Sequence, residues 1–259
     1  IYNTNSSSSL TIESGTINST NSAVYNEGGT VTIGSENTTP NITGSKYAIN
    51  NPKYNVGTVI ARPFVGESGN YTRTANRRDI SWLPDNDNLL VRMKEAGLDV
   101  IGVGKIEDIF AGVGITEAVH TKDNMDGMDK TLEYMDRHNR GLIFTNLVEF
   151  DSKWGHRNDY KGYAQGLEEF DVRLKEVLDK MRDDDLLVIT ADHGCDPTMT
   201  QSTDHSREYV PMLMYGRQLK EGTDLKTGKT YANIGQTVAD IFDLKPLAIG
   251  ESYLKEILK

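Results

Sequence analysis

A chain of 259 residues, 37% hydrophobic and 25% charged, is long enough for one large or two smaller globular units, and two units are expected. Its formal net charge of -10 argues against a general nucleic-acid binder, because neutralising phosphates takes clustered Lys and Arg. A single cysteine, Cys195, excludes an internal disulfide and fits a reducing compartment. No apolar run approaches the roughly 20 residues that span a bilayer, and the start carries neither a basic region nor an apolar one of the signal-peptide kind, so a soluble chain is expected. The sequence opens at Ile1 rather than Met, which leaves room for an upstream segment.

Residues 1–50 stand apart. Ser, Thr, Asn and Gly dominate them, and Glu13, Glu27, Glu36 and Lys46 are their only charged residues. The strings Ile1-Tyr2-Asn3, Ala23-Val24-Tyr25-Asn26 and Ala48-Ile49-Asn50 recur at roughly two dozen residues. Between them lie the alternating runs Leu10-Thr11-Ile12 and Thr30-Val31-Thr32-Ile33, punctuated by Gly15, Gly28, Gly29 and Gly34. Two readings stand side by side: two coils of a β-solenoid, in which each coil buries its apolar stripe on the next, or a disordered polar tail.

From Pro52 the pattern becomes α/β. Strands are predicted at Thr58–Ala61, Asp99–Val103, Leu142–Leu147, Leu186–Thr190 and Pro211–Tyr215. Helices are predicted at Asp87–Ala96, Met125–His138, Asp159–Met181, Ile234–Phe242 and Tyr253–Leu258. In the longest helix, Tyr163, Leu167, Phe170, Leu174 and Leu178 recur at three or four residues and form one apolar stripe. Such alternation predicts a mainly parallel sheet with helices on both faces, and ligand groups at the carboxyl ends of its strands.

Carboxylates and imidazoles cluster at those ends. Glu149-Phe150-Asp151-Ser152-Lys153-Trp154-Gly155-His156 follows one predicted strand and Ala191-Asp192-His193-Gly194 another, with Thr203-Asp204-His205-Ser206-Arg207-Glu208 shortly after. Three of the five histidines fall in these loops, whereas His120 and His138 do not. Mixed oxygen and nitrogen donors suit manganese, zinc or iron(II), and one cysteine argues against a thiolate site. Trp154 is read as packing.

The runs Ile189–Thr198 and Thr203–Pro211 together resemble the signature of the phosphopentomutases, metal-dependent mutases of the alkaline-phosphatase superfamily. So do Val59–Phe64, Gly104–Phe110 and Thr121–Gly127, so that the likeness covers roughly residues 52–259. It implies an alkaline-phosphatase-like, mainly parallel α/β core at 111–259, a partial cap domain with linker at 52–110, and a polar segment at 1–50 foreign to the enzyme. It implies interconversion of ribose 1-phosphate and ribose 5-phosphate, and of their deoxyribose counterparts, with two Mn2+ ions, a sugar bisphosphate activator, and a cytoplasmic setting in nucleoside salvage. One ion's ligands map onto Asp151, His156 and His205. Asp192 and His193 map onto part of the second set, whose remaining partners, an aspartate and a phosphorylatable threonine, have no matching string in residues 1–50. No catalytic nucleophile is therefore assigned, and the chain alone is expected to bind one ion well, a second weakly, and to turn over little or not at all.

Arg62 and Lys105 match positions that contact the sugar phosphate, Lys as a point cation and Arg as a two-pronged donor. Arg73, Arg77 and Arg78 are weaker candidates for the same work. Asp204 and Glu208 are expected to orient His205, and Arg207 to steer substrate or brace the loop. Two other functions remain open: a related metal-dependent phosphohydrolase or phosphoglycerate mutase, which share the Asp-His-Gly strand end, and a surface-associated β-repeat binding module carrying an enzyme fragment. A junction of unrelated sequences near Asn50 would account for the same change in composition.

Overall fold

The computed structural model describes residues 2–3, 9–12, 16–18, 25–26, 30–33, 41–43, 58–61, 64–67, 70–73, 78–81, 83–84, 87–137 and 139–259. The chain divides into two units, Ile1–Leu83 and Pro84–Lys259.

The first unit holds short strands only, among the described residues. These are β1 (Tyr2–Asn3), β2 (Ser9–Ile12), β3 (Thr16–Asn18), β4 (Tyr25–Asn26), β5 (Thr30–Ile33) and β6 (Asn41–Thr43). All three pairings among them are parallel: β1 with β4, β2 with β5 and β3 with β6. The register sets Leu10 beside Val31 and Ile12 beside Ile33, so the two alternating runs match position for position. Parallel pairing of this kind is what stacked coils expect, like residues of successive coils becoming lateral neighbours. After them come β7 (Thr58–Ala61), β8 (Phe64–Glu67), β9 (Asn70–Arg73) and β10 (Arg78–Ser81), with β7 antiparallel to β10 and β8 to β9. Only the first of these four was expected, because the other three lack a clear apolar alternation.

The second unit is α/β. It runs through α1 (Leu89–Glu95), β11 (Asp99–Val103), α2 (Ile106–Phe110), β12 (Glu117–Val119), α3 (Asn124–Met135), β13 (Gly141–Thr145), α4 (Tyr160–Lys180), β14 (Leu187–Thr190), β15 (Met212–Tyr215), α5 (Ala232–Ile241) and α6 (Leu254–Ile257). Side-chain acceptors fix three helix starts. Asn88 accepts from the Val91 amide at 3.2 Å, Asp123 from Asp126 at 2.8 Å and Asp159 from Gly162 at 2.9 Å. Such caps satisfy amides that a helix start leaves unpaired.

Strand β11 lies between β12 and β13, parallel to both. Its residues alternate faces, as a strand must. Val100 packs with Leu90 and Met93 of α1, Ile106 of α2, Val238 of α5 and Phe242 just after it, while Ile101 and Val103 pack with Tyr134 of α3. Helices thus cover the parallel sheet on both faces. Strands β14 and β15 pair antiparallel. Along α4, Phe170, Leu174 and Val177 pack against Met128 and Leu132 of α3, whereas Leu167 of the predicted stripe is half exposed. Among the described residues no helix is long and apolar enough to cross a membrane.

Candidate metal centre

At the carboxyl end of β13 the chain is pinned before it reaches the first carboxylate. The Asn146 amide donates to Val103 O at 3.0 Å. Asn124, buried at the start of α3, donates its amide to Glu149 Oε2 at 2.8 Å and accepts the Glu149 amide at 3.0 Å. The next residues form one turn of π-helix, Phe150–Trp154, followed by a 3-10 turn, Gly155–Arg157. Wide turns of this kind recur at functional sites. Trp154 anchors it: the indole is buried and lies so close to Gly162 and Gly166 of α4 that a Cβ at either would stand 2.4 or 2.5 Å from the ring. Phe150 meets that ring edge-on at 5.4 Å and the ring of Tyr163 at 5.1 Å. Trp154 is packing, and what it packs is the turn that presents Asp151 and His156.

The other half of the site follows β14. Asp192 and His193 come one residue after the strand, beyond Ala191, and Gly194 pairs with Ser206 by a bridge, the Ser206 amide donating to Gly194 O at 3.2 Å. The Asp196 amide is held by Ser206 Oγ at 2.7 Å. Gly194 has no room for a side chain, since a Cβ would sit 2.6 Å from Ser206 O. This bridge turns the chain back on itself and lays His205 against His193, with ring centroids 3.7 Å apart and 21° between planes.

Around Asp151 the side chains converge. Asp151 Oδ1 lies 3.2 Å from His156 Nε2, 3.1 Å from His205 Nε2 and 3.9 Å from His193 Nε2. Ligand atoms of Asp151, His156 and His205 all lie within 4.8 Å of one another. Asp192 Oδ1 is 3.7 Å from His193 Nε2, with its carboxylate largely exposed.

The hydrogen-bond partners test whether a cation suits this cluster. His156 Nδ1 is 2.6 Å from Thr203 O and His193 Nδ1 is 3.1 Å from Gly194 O. A carbonyl only accepts, so each Nδ1 carries the proton and each Nε2 of a neutral ring turns a lone pair toward Asp151. Two acceptors facing at 3.2 Å need a proton or a cation between them. Ring N–H groups donated to main-chain carbonyls are the usual support of metal-binding histidines. Ligands about 2.0–2.2 Å from a shared ion stand roughly 3–4 Å apart, which these separations match. The residues present therefore fit a divalent cation.

Other expected residues fall as follows. The Asp204 carboxylate accepts the His205 main-chain amide at 2.8 Å rather than meeting its ring. Arg207 and Glu208 follow the bridge residue Ser206, both exposed. Lys105 is exposed at the carboxyl end of β11, opening α2. Arg62 and His138 lie outside the described residues, and nothing of the side chains of Arg73, Arg77 or Arg78 is described. His120 stands apart near Glu107 and Asp108, at 3.7 and 3.9 Å. Burial pushes the Cys195 thiol up, helped by the nearby carboxylates of Asp151, Glu208 and Asp196. Two supports were not anticipated: the Asn124–Glu149 pair, and Asn158, whose side-chain amide donates to Met199 O and Ser202 O. An asparagine directly before the cap of a long helix is the one signal that could have drawn attention to the latter.

Comparison with known proteins places the chain among metalloenzymes. The chain is 62% identical over 204 residues to a phosphopentomutase of Clostridium novyi, an alignment covering 79% of this chain and 52% of that protein. It is 57% identical over 210 residues to one of Kosmotoga olearia (81% and 54%) and 56% identical over 204 residues to one of Alkaliphilus metalliredigens (79% and 52%). The chain spans about half the length of the curated relatives it matches. The sequence model of the metalloenzyme superfamily matches residues 33–246, a stretch that includes both ligand-bearing segments, and the chain belongs to that superfamily.

Proposed function

We propose that this chain carries the metal-binding part of a phosphopentomutase, an isomerase that interconverts (deoxy)ribose 1-phosphate and (deoxy)ribose 5-phosphate. The observation that carries the reading is the meeting of His156 and His205 at one oxygen of Asp151, in a sequence so similar to phosphopentomutases. That similarity also favours the pentose reaction over a phosphohydrolase or a phosphoglycerate mutase.

In this reading Asp151, His156 and His205 hold one Mn2+, and Asp192 with His193 supplies part of the set for a second. Bound divalent cations lower the cost of bringing up an anionic phosphate and stabilise charge on its entering and leaving oxygens. Thr203 O and Gly194 O keep the His156 and His193 rings in the tautomer that leaves Nε2 free. Lys105 contacts the sugar phosphate, a role that the likeness of its string also gives to Arg62, Arg207 steers it toward the centre, and Asp204 and Glu208 brace the loop that bears His205. Moving a phosphoryl group between two sugar oxygens requires a group that carries it between half-reactions. We assign that role to a threonine, and the completion of the second ligand set to an aspartate, in sequence corresponding to the part of the relatives that these residues do not match. A sugar bisphosphate would prime that threonine, and the cytoplasm is the setting that fits a pentose-salvage enzyme.

Calorimetric titration of the purified chain with Mn2+, beside an assay for ribose 1-phosphate isomerisation, tests this. One ion bound tightly, a second weakly, and turnover that appears only when the unmatched half of the Clostridium novyi relative is supplied would support it. Absence of any stoichiometric ion removes the metal assignment, and substantial turnover by residues 1–259 alone removes the assignment of the nucleophile.

A second reading concerns residues 1–50. The parallel pairing of β1 to β6 supports a β-repeat unit joined to the enzyme part, which would act as a surface-associated binding module.

A further inference from the structure

The turn bearing Asp151 and His156 and the loop bearing His205 come from distant parts of the sequence, and hydrogen bonds between the two segments hold them together. Three ties join them, in antiparallel order. Asn158 Nδ2 donates to Met199 O at 2.7 Å and to Ser202 O at 3.1 Å. His156 Nδ1 meets Thr203 O at 2.6 Å. Asp151 Oδ1 meets His205 Nε2 at 3.1 Å. Only the first of these uses a side chain that is not itself in the proposed ligand set.

Asn158 is built into the turn. It has φ 51° and ψ 32°, in the left-handed region that asparagine tolerates better than most non-glycine residues, and its own amide donates to Gly155 O at 3.1 Å. With the backbone so placed, both side-chain amide protons are directed at two carbonyls of the loop, three residues apart. Both partners can only accept, so the position needs a side chain with two donors. An aspartate there would set a carboxylate against two carbonyl oxygens, and a glycine would keep the backbone conformation while losing both hydrogen bonds.

We infer that Asn158 is a positioning residue for the metal centre, holding the loop 199–203 at the distance at which His205 and His156 address one Asp151 oxygen. It acts through those histidines rather than on an ion, and the inference rests on the metal reading proposed above.

Titration of the full chain with Co2+, followed by its visible d–d absorption and by calorimetry, tests it on Asn158→Asp and Asn158→Gly. Both variants should bind about 10- to 100-fold more weakly, the range usual for groups that orient metal ligands, with altered d–d bands. Circular dichroism and metal-free melting should show Asn158→Gly folded. A folded Asn158→Gly with unchanged Co2+ affinity and spectrum overturns the inference and leaves the metal reading standing. Unfolding of both variants overturns it too, since Asn158 would then serve the fold rather than the centre. If the parent chain binds no Co2+ at all, the metal reading falls and takes the inference with it.

Discussion

Asp151 Oδ1 and His205 Nε2 lie 3.1 Å apart across 54 residues of sequence, and His156 reaches the same oxygen from the 3-10 turn that follows the π turn bearing Asp151. Asp151 is thus the shared member of the cluster. Asp151→Asn keeps the shape of the side chain and removes its charge. Divalent-ion affinity should fall more than roughly 100-fold, beyond the loss expected for groups that only orient ligands. Chelation should lower the melting temperature of the parent chain and leave that of the variant unchanged, because an ion held only by the folded state stabilises it by about 2.7 kcal/mol at a hundred times its Kd. Calorimetry and melting with and without EDTA measure both.

Trp154 ties the ligand turn to α4 through the space left by two glycines. A Cβ at Gly166 would stand 2.5 Å from the indole, and the ring is closed in by Phe150 on another side. Gly166→Ala should therefore destabilise the protein by about 1–3 kcal/mol, the usual cost of overpacking. Denaturant titration gives the value, and a change below a few tenths of a kcal/mol would show that the ring has room to shift.

The reciprocal pair of Asn124 and Glu149 holds the approach to the site. Asn124→Ala leaves the Glu149 amide without its acceptor in a partly buried place, at a cost of about 1–3 kcal/mol. Glu149→Gln keeps an oxygen for the Asn124 amide and should cost less. The order of the two melting temperatures, with Asn124→Ala the lower, is the check.

Acid should act on the sheet edge through Glu117. Its carboxyl is held below the usual 4.5 by the Tyr134 hydroxyl, which donates at 2.8 Å, and by Arg137 at 2.9 Å. Burial pushes the Tyr134 hydroxyl up, and the same Glu117 bond adds to the effect. Because the folded-state value is depressed, the unfolded chain binds more protons in this window. The contribution is complete above pH 4.5 and is lost as pH falls through the folded value. Tyr134→Phe should narrow the difference between urea midpoints measured at pH 7 and pH 3. An unchanged or wider difference would contradict the role given to that hydroxyl.

Chain-local patterns were enough to identify the second unit as α/β and to mark the three loops that bear its acidic and imidazole groups. A short β-branched run gave β11 away, and three- and four-residue spacing gave away α4. These features are legible because secondary structure and burial repeat with a short period. The short strand β12 and the five-residue helix α2 escaped notice, since neither is long enough to complete a pattern. Which groups meet was a matter for the tertiary structure. Asp204 and His205 are adjacent in sequence, yet the Asp204 carboxylate binds the main chain while the His205 ring turns to Asp151. The return of the loop at the Gly194–Ser206 bridge and the clamp from Asn158 set those directions. Sequence determines which donors the chain owns and near which strand end each one lies; their distances depend on contacts between segments far apart in the chain, and no local periodicity encodes those.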